Sequence, residues 1–211
     1  MTARVSLLPF VPLVLCAFAA RAAEHHAEEI ARLAAAAKPG DLIAVADGEW
    51  HDQALKIRAN GTAERPITVR ATTLGKIVLS GESSLEIDGE HVIVSGLVFQ
   101  DGTGEGAAIS IKGQHCQVTE CAVLGGRYKF FVHLFGRENR VDHCYLADKT
   151  SEGPTVQVEA PGEPNGHRID HNHFGPRPPL GRNGGESMRV GYSHQSMNNS
   201  RTLVEQNLFE R

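Results

Sequence analysis

The sequence predicts an all-β protein, a right-handed single-stranded parallel β-helix with an N-terminal capping helix. Three observations indicate this fold. Short Val/Ile-rich nonamers recur every 23 to 35 residues, a second short strand lies between successive nonamers, and no helical segment separates the strands. Short strands joined by Gly-bearing turns at such a spacing are typical of a solenoid.

Five nonamers carry the repeat, at 91–99, 115–123, 138–146, 166–174 and 201–209. Their fourth residue is always Val or Ile, and their ninth is always bulky and apolar. Equivalent residues of stacked coils lie about 4.8 Å apart, so at the seventh position we expect an amide ladder of Asn172 and Asn207. Cys121 and Cys144 occupy the same position in earlier coils. A disulfide between them is open on distance grounds, but buried free thiols are favoured because cysteine packs well as a small apolar residue.

The second strand recurs at 109–111, 132–134, 156–158 and 188–190. Each copy alternates inward apolar and outward polar residues, as half-buried strands do. The outward residues are Ser110, His133, Gln157 and Arg189. This row either lines a ligand-binding groove or is simply a solvated face of the solenoid.

A helix is predicted over 24–37, before the repeats. Ile30, Leu33, Ala34 and Ala37 fall on one face, and Lys38-Pro39-Gly40 ends the helix. The first coil of a solenoid exposes unpaired backbone groups at its edge. We therefore expect this helix to cover that edge.

Residues 1–22 read as a secretory signal peptide, with a basic start, an apolar run and a small-residue cleavage site. The alternative is a membrane anchor, but the run is short for a span of about 20 residues and contains two prolines. We expect an exported protein, periplasmic or secreted, with no membrane span after cleavage. Residues 23–211 then form the β-helix domain. Because the sequence stops inside a repeat, a C-terminally truncated domain is expected.

The formal net charge of −4 is unevenly spread. Residues 23–124 hold 8 Lys/Arg against 15 Asp/Glu, whereas residues 125–211 hold 11 against 10. An acidic protein is a poor non-specific binder of polyanions, so no nucleic-acid partner is expected. A polyanionic ligand would bind in the second half.

Several stretches of the sequence resemble the chondroitinase-B-like lyases, polysaccharide lyase family 6. They are 38–41, 46–48, 61–68, 81–85, 140–144, 167–171, 174–181, 183–186 and 205–211. The resemblance covers essentially all of 23–211 and is most specific between His167 and Gly191. Within the family, these stretches are closer to alginate lyases than to chondroitinase.

The resemblance implies cleavage of a uronic acid polymer by β-elimination, and the acidic polysaccharide alginate as substrate. It also implies a Ca²⁺ cofactor that neutralises the uronate carboxylate, a Lys base and an Arg on the leaving-group side. Of the family's one Asn and two Glu ligands, only the Asn has a match here, Asn183. The other groups lie in relatives beyond the position of Arg211, so no catalytic residue is expected in this chain.

Four residues are predicted to bind substrate: His133, Arg177, Arg182 and Arg189. The alternatives are a solvated face for the strand residues and ordinary loop arginines for the other two. Asn183 also fits a plain Asn-Gly turn. Two other functions stay open, a non-catalytic truncated β-helix that binds acidic polysaccharide weakly or not at all, and a dermatan-sulfate lyase.

His167, His171 and His173 form a histidine-rich stretch that could suggest zinc. No Cys or carboxylate completes a zinc ligand set in that stretch. Packing and hydrogen bonding within the coil is the favoured interpretation.

Overall fold

The computed structural model describes residues 26–181 and 184–210. The predicted signal peptide, together with Arg182, Asn183 and Arg211, lies outside the described residues. The described chain contains one α-helix, His26–Ala36, and one short 3-10 helix, Ser193–Gln195. The remaining regular structure is β-strand.

The strands form three parallel sheets, here called A, B and C. Sheet A contains Leu42–Val45, Ile67–Ala71, Val92–Ser95, Gln117–Thr119, Arg140–Asp142, Arg168–Asp170 and Leu203–Glu205. Sheet B contains Gly48–His51, Ile77–Ser80, Leu97–Gln100, Ala122–Leu124, Tyr145–Ala147, His173–Phe174 and Leu208–Phe209. Sheet C contains Ala54–Ile57, Ser84–Ile87, Thr103–Ile111, Arg127–Leu134, Val156–Val158 and Met188–Val190.

The chain visits the sheets in turn and returns to each one coil later, which makes a parallel β-helix. The predicted nonamer repeat is confirmed by the strand register. The fourth residues pair across sheet A, in the order Val94, Val118, Val141, Ile169 and Val204. The ninth residues pair across sheet B, in the order Phe99, Val123, Leu146, Phe174 and Phe209.

The core is the inside of this helix, because every strand points alternate residues inward. The capping helix packs against the first strand of sheet C and the first strand of sheet A, as predicted. Ala27, Ile30 and Ala34 are its buried residues, and Ala37 packs partly against the core. The prediction was wrong for Leu33, which is 39% exposed, because the helix buries a narrower stripe than its apolar pattern suggests.

Two ladders of buried polar and thiol groups line the corners of the helix. In the predicted one, the Asn207 side-chain oxygen accepts from both the backbone and the side-chain nitrogen of Asn172, at 2.9 and 3.0 Å. The Asn172 side-chain oxygen in turn accepts from the backbone of Cys144. Cys121 and Cys144 are buried free thiols, as favoured from the sequence.

The second ladder was not predicted. It joins Cys116, Asn139 and His167, the second residues of three successive nonamers. The Cys116 amide donates to the Asn139 side-chain oxygen at 2.9 Å, and the Asn139 amide donates to Nδ1 of His167 at 3.2 Å. Three chemically different residues share this position, so the alignment gave no constant residue type to reveal it.

Candidate substrate-binding face

One outward row of side chains crosses sheet C. The register pairs Ser110 with His133, His133 with Gln157, and Gln157 with Arg189. The same row begins in earlier coils with Lys56 and Glu86. The structure therefore brings together two of the predicted substrate-binding residues, His133 and Arg189, two strands apart on one face.

His133 is held in a fixed orientation. Its Nε2 lies 2.7 Å from Oε1 of Glu159, and its ring lies between those of Phe130 and Phe135, with centroids 4.7 and 4.0 Å away. Burial lowers the pKa of His133, and the hydrogen bond to Glu159 opposes that shift. The His133 side chain is 13% exposed, so most of the imidazole is covered by these neighbours.

Glu159 connects this row to the segment that follows sheet C. Its second carboxylate oxygen lies 3.5 Å from Nε2 of Gln195 in the short 3-10 helix. Burial and the nearby Glu159 raise the pKa of the Tyr192 hydroxyl, which stays protonated at neutral pH. His133, Glu159, Tyr192 and Gln195 thus form one polar cluster beside the row.

Gln157 departs from the prediction of an outward, solvated residue, because its side chain is completely buried. The side-chain nitrogen donates to the carbonyls of Val158 and Gly191. Within the described residues its side-chain oxygen has no hydrogen-bond partner. The turn at Gly191 after the last strand of sheet C folds back over this position, which strand alternation alone does not foretell.

Arg189 remains accessible at the end of the row. Its guanidinium binds Oε1 of Glu186 at 2.6 Å, and the two side chains are 38% and 43% exposed. The pKa of Glu186 is lowered chiefly by this hydrogen bond. An exposed ion pair of this kind contributes little to stability, so an anionic ligand can compete for the guanidinium at small cost.

Arg177, which the sequence predicts to bind substrate, contacts the backbone of two loops in the structure. Its guanidinium donates to the carbonyls of Ser151, Gly153, Gly184 and Glu186. The first two carbonyls belong to the loop 148–155 and the last two to the loop 175–187. We call this arrangement the carbonyl clamp. Because it occupies most of the guanidinium's donors, the described contacts of Arg177 are structural.

Lys149 completes the carbonyl clamp and was missed by the sequence analysis. Its side chain is 1% exposed, and its ammonium donates to the carbonyls of Ser151 and Glu152 and to the Ser151 hydroxyl, all within 2.8 Å. Burial, followed by the charge of Arg177, lowers the pKa of Lys149 to about 8. No sequence signal distinguishes this lysine from an exposed loop lysine, since its partners are backbone carbonyls.

The outer face of sheet A carries a second polar array. Arg140 binds Asp170 through two hydrogen bonds of 2.8 and 2.6 Å, and Arg168 contacts both Asp170 and Glu205. His171 and His143 pair with the preceding Asp170 and Asp142, each at 2.7 Å. These charges satisfy one another, so this face is less suited to an anionic ligand than sheet C.

The three histidines of the 167–173 stretch have separate partners. His167 is buried in the corner ladder, and burial lowers its pKa to about 4. His171 pairs with Asp170, whereas His173 lies 3.2 Å from Glu210 and against the ring of Tyr145. The contacts agree with packing and hydrogen bonding within the coil.

Comparison with known proteins identifies the family. The family model for chondroitinase B matches residues 25–211. The chain belongs to the chondroitinase B family. A search of curated protein sequences gives no match.

Solved structures of lyases share the fold. The PL6 family alginate lyase AlyGC is 42% identical, with a TM-score of 0.84 over 88% of this chain and 28% of AlyGC. A mannuronic acid specific family 6 lyase from human gut microbiota is 32% identical, with a TM-score of 0.80 over 87% of this chain and 46% of that one. A PL6 family lyase from Pseudopedobacter saltans is 28% identical, with a TM-score of 0.79 over 88% and 46%. The chain therefore spans less than half the length of these relatives.

The calcium site expected of the family is not built by the described residues alone. Arg182 and the predicted ligand Asn183 lie outside them. In the neighbouring segment 184–187 the carboxylate is that of Glu186, which is engaged by Arg189. Ca²⁺ takes six to eight oxygen ligands, so this segment does not by itself hold the ion. None of the helices in the described ranges is long and apolar enough to cross a membrane.

Proposed function

We propose that this chain acts in an alginate lyase that cleaves the polymer by β-elimination. The 42% identity to the alginate lyase AlyGC over 88% of this chain carries the proposal. The 32% identity to a mannuronic acid specific lyase supports it. Both relatives act on uronic acid polymers, whose repeating carboxylates require a cationic or polar binding surface.

The outer face of sheet C is the proposed binding surface. Arg189 is an exposed cation at the C-terminal end of the row, and a bidentate guanidinium–carboxylate contact matches a uronate group in shape and charge. His133, whose side chain is 13% exposed and packs against Phe130 and Phe135, is proposed to line the same face. Arg182 is proposed to add a second cation from the loop 175–187. Each of these groups binds and orients the substrate.

We further propose that Asn183 contributes one ligand to a calcium site. When bound, Ca²⁺ would neutralise the uronate carboxylate next to the proton that is removed. The support from this chain is indirect: the carbonyl clamp fixes Gly184, which directly follows Asn183, and Glu186, three residues after it. No step of the reaction is derived through the ion.

A second candidate is binding of acidic polysaccharide without cleavage by the described part of the chain. The pairing of basic side chains on this face favours it, because His133 contacts Glu159 and Lys112 contacts Glu86. Groups held in this way orient a ligand more readily than they accept a proton from it.

The decisive experiment compares alginate with dermatan sulfate on the complete gene product, following the absorbance of the unsaturated uronate formed by elimination. We expect product from alginate and none from dermatan sulfate. Product from dermatan sulfate alone would replace the proposal with the dermatan-sulfate lyase. Binding of alginate without product would favour the second candidate. The absence of both binding and product would reject the two candidate functions.

The binding surface is tested separately with Arg189→Ala. Loss of a charge-assisted contact to a carboxylate should weaken binding of alginate oligosaccharides by about tenfold or more. Arg70→Ala is the matched control, because Arg70 is an exposed arginine on the outer face of sheet A. Equal affinities of both variants would show that sheet C is not the binding face. The export signal proposed for residues 1–22 is tested by N-terminal sequencing of the secreted protein.

A further inference from the structure

The corner between sheets C and A repeats one short pattern in three coils: Gly89-Glu90-His91, Gly113-Gln114-His115 and Gly136-Arg137-Glu138. A Cβ on any of these glycines would collide with the backbone carbonyl of the coil below, so the corner is tightly packed. His91, His115 and Glu138 all adopt a left-handed backbone, with φ of 50, 54 and 51°. The corner thereby stacks three side chains in successive coils.

These side chains approach one another closely. The rings of His91 and His115 are stacked, with centroids 4.6 Å apart and planes inclined by 9°. Nε2 of His91 lies 3.7 Å from Oε1 of Glu90, and Nδ1 of His115 lies 3.1 Å from Oε2 of Glu138. One donor atom each from Glu90, His91 and His115 falls within 4.8 Å of the others.

We propose that Glu90, His91 and His115 bind a divalent transition-metal ion, with Zn²⁺ as the best match. Two imidazoles and one carboxylate are a ligand set that Zn²⁺ takes, with the fourth position left to water. Tetrahedral Zn²⁺ with bonds of about 2.0–2.1 Å needs its ligand atoms roughly 3.4 Å apart. Metal binding at this corner therefore requires the partly exposed side chains of His91, His115 and Glu90 to rotate out of the stacked arrangement.

Glu138 has a separate role in the proposed site. A carboxylate on one nitrogen of a metal-binding imidazole fixes the ring and makes the other nitrogen a better ligand. The Glu138 carboxylate lies beside Nδ1 of His115, so Nε2 of this ring is the nitrogen left to bind the metal. The proposed site therefore contains residues from three successive coils: His91, His115 and Glu138.

A second stacked histidine pair within the described residues serves as an internal comparison. The rings of His143 and His171 are 5.1 Å apart with an inclination of 7°. Their Nδ1 atoms are hydrogen-bonded to Asp142 and Asp170, whose oxygens are also engaged by Gln117 and Arg140. At the C–A corner, by contrast, Glu90 and His91 face each other at 3.7 Å, beyond hydrogen-bond length.

The test is titration of the purified chain, free of any histidine tag, with ZnCl₂ by isothermal calorimetry in a non-chelating buffer. We expect one bound Zn²⁺ per chain and a rise in the melting temperature. His91→Ala and His115→Ala should each weaken binding by at least tenfold, and Glu138→Gln by about tenfold, the usual effect of an outer carboxylate. CaCl₂ at the same concentration should neither bind at this corner nor displace Zn²⁺.

The double variant His143→Ala/His171→Ala is the matched control and should bind Zn²⁺ like the parent chain. Absence of a stoichiometric Zn²⁺ site in the parent chain would overturn the proposal, as would equal loss in the control. If an alanine variant fails to fold, Co²⁺ is added to the parent chain instead. Visible absorption of a tetrahedral Co²⁺ centre, abolished by excess Zn²⁺, is then expected, and its absence also overturns the proposal.

Discussion

Asp170 has no exposed surface, yet its carboxylate carries a charge because three side chains surround it. Arg140 binds both of its oxygens, and His171 and Arg168 approach from either side. The hydrogen bonds from Arg140, followed by that from His171, lower the pKa of Asp170 to about 2. A buried charge is tolerated here because each of its oxygens is matched by a donor.

Asp170→Asn should therefore lower the free energy of unfolding by about 3 kcal/mol at pH 7, because it removes both short hydrogen bonds of Arg140 and leaves it the longer contact of 3.7 Å with Asp142. The folded pKa lies below the unfolded value of about 3.9. The stabilisation is thus complete above pH 4 and is lost as the pH falls through 2. Urea unfolding of the parent and of Asp170→Asn, measured from pH 7 to pH 2, should show the difference in unfolding free energy becoming smaller as the pH falls from 4 to 2. Asp88→Asn, at an exposed carboxylate, is the control, and a difference independent of pH would contradict the assignment.

The three cysteines of residues 23–211 give a second test at the residue scale. Cys116, Cys121 and Cys144 are free and at most 2% exposed, and burial raises the pKa of Cys116 to about 11. A thiol reagent should label none of them in the native protein lacking residues 1–22, and all three after unfolding. Labelling of a single cysteine in denaturant without reductant would instead reveal a Cys121–Cys144 disulfide.

The loop 175–187 illustrates at the element scale how an irregular segment is fixed without regular structure. Arg177 and Lys149 supply donors to carbonyls of two loops, and the Glu186 carbonyl also accepts from the backbone of Thr155 at 2.9 Å. Buried loop carbonyls need such partners. The arginine thus substitutes for the ladder of hydrogen bonds that a strand would make.

Arg177→Met should release this loop. Several charge-assisted hydrogen bonds disappear, and we expect a loss of about 1–3 kcal/mol in unfolding free energy. Amide hydrogen exchange of residues 184–187 should accelerate, while exchange in sheets A and B should stay unchanged. Arg70→Met provides the matched control on the outer face of sheet A. Unchanged protection of 184–187 would show that the clamp does not hold the loop.

The sequence anticipates the elements of this fold better than the contacts between its loops. Val141, Ile169 and their equivalents are predictable because strand alternation and stacking force one residue type into one position. The burial of Gln157 and the engagement of Arg177 depend on where later segments fold back, and no local pattern encodes that. Arg182 and Asn183 stay predictions.

The stability of the molecule as a whole arises from stacking of neighbouring coils. Ile169 is fully buried and is paired with Val141 on one side and Val204 on the other. Ile169→Ala should cost about 2–5 kcal/mol, the usual range for a buried Ile→Ala change. Ile93→Ala, at a half-buried outward position of the same sheet, should cost clearly less. Chemical denaturation measures both, and equal losses would contradict the inward and outward assignment.

The connections at the three corners of the solenoid differ in length. From Val92 onward, sheets A and B are joined by one or two residues in every coil, such as 143–144. The connections from sheet B to sheet C are much longer in the later coils, with eight residues at 148–155 and thirteen at 175–187. The A-to-B corner of these coils is thus short and nearly constant in length, and their long connections lie at the other two corners. Loops beside sheet C can therefore lengthen without shifting the register of the buried ladders. Peptide insertions made in the laboratory should follow the same asymmetry, tolerated at 160–164 and disruptive at 143–144.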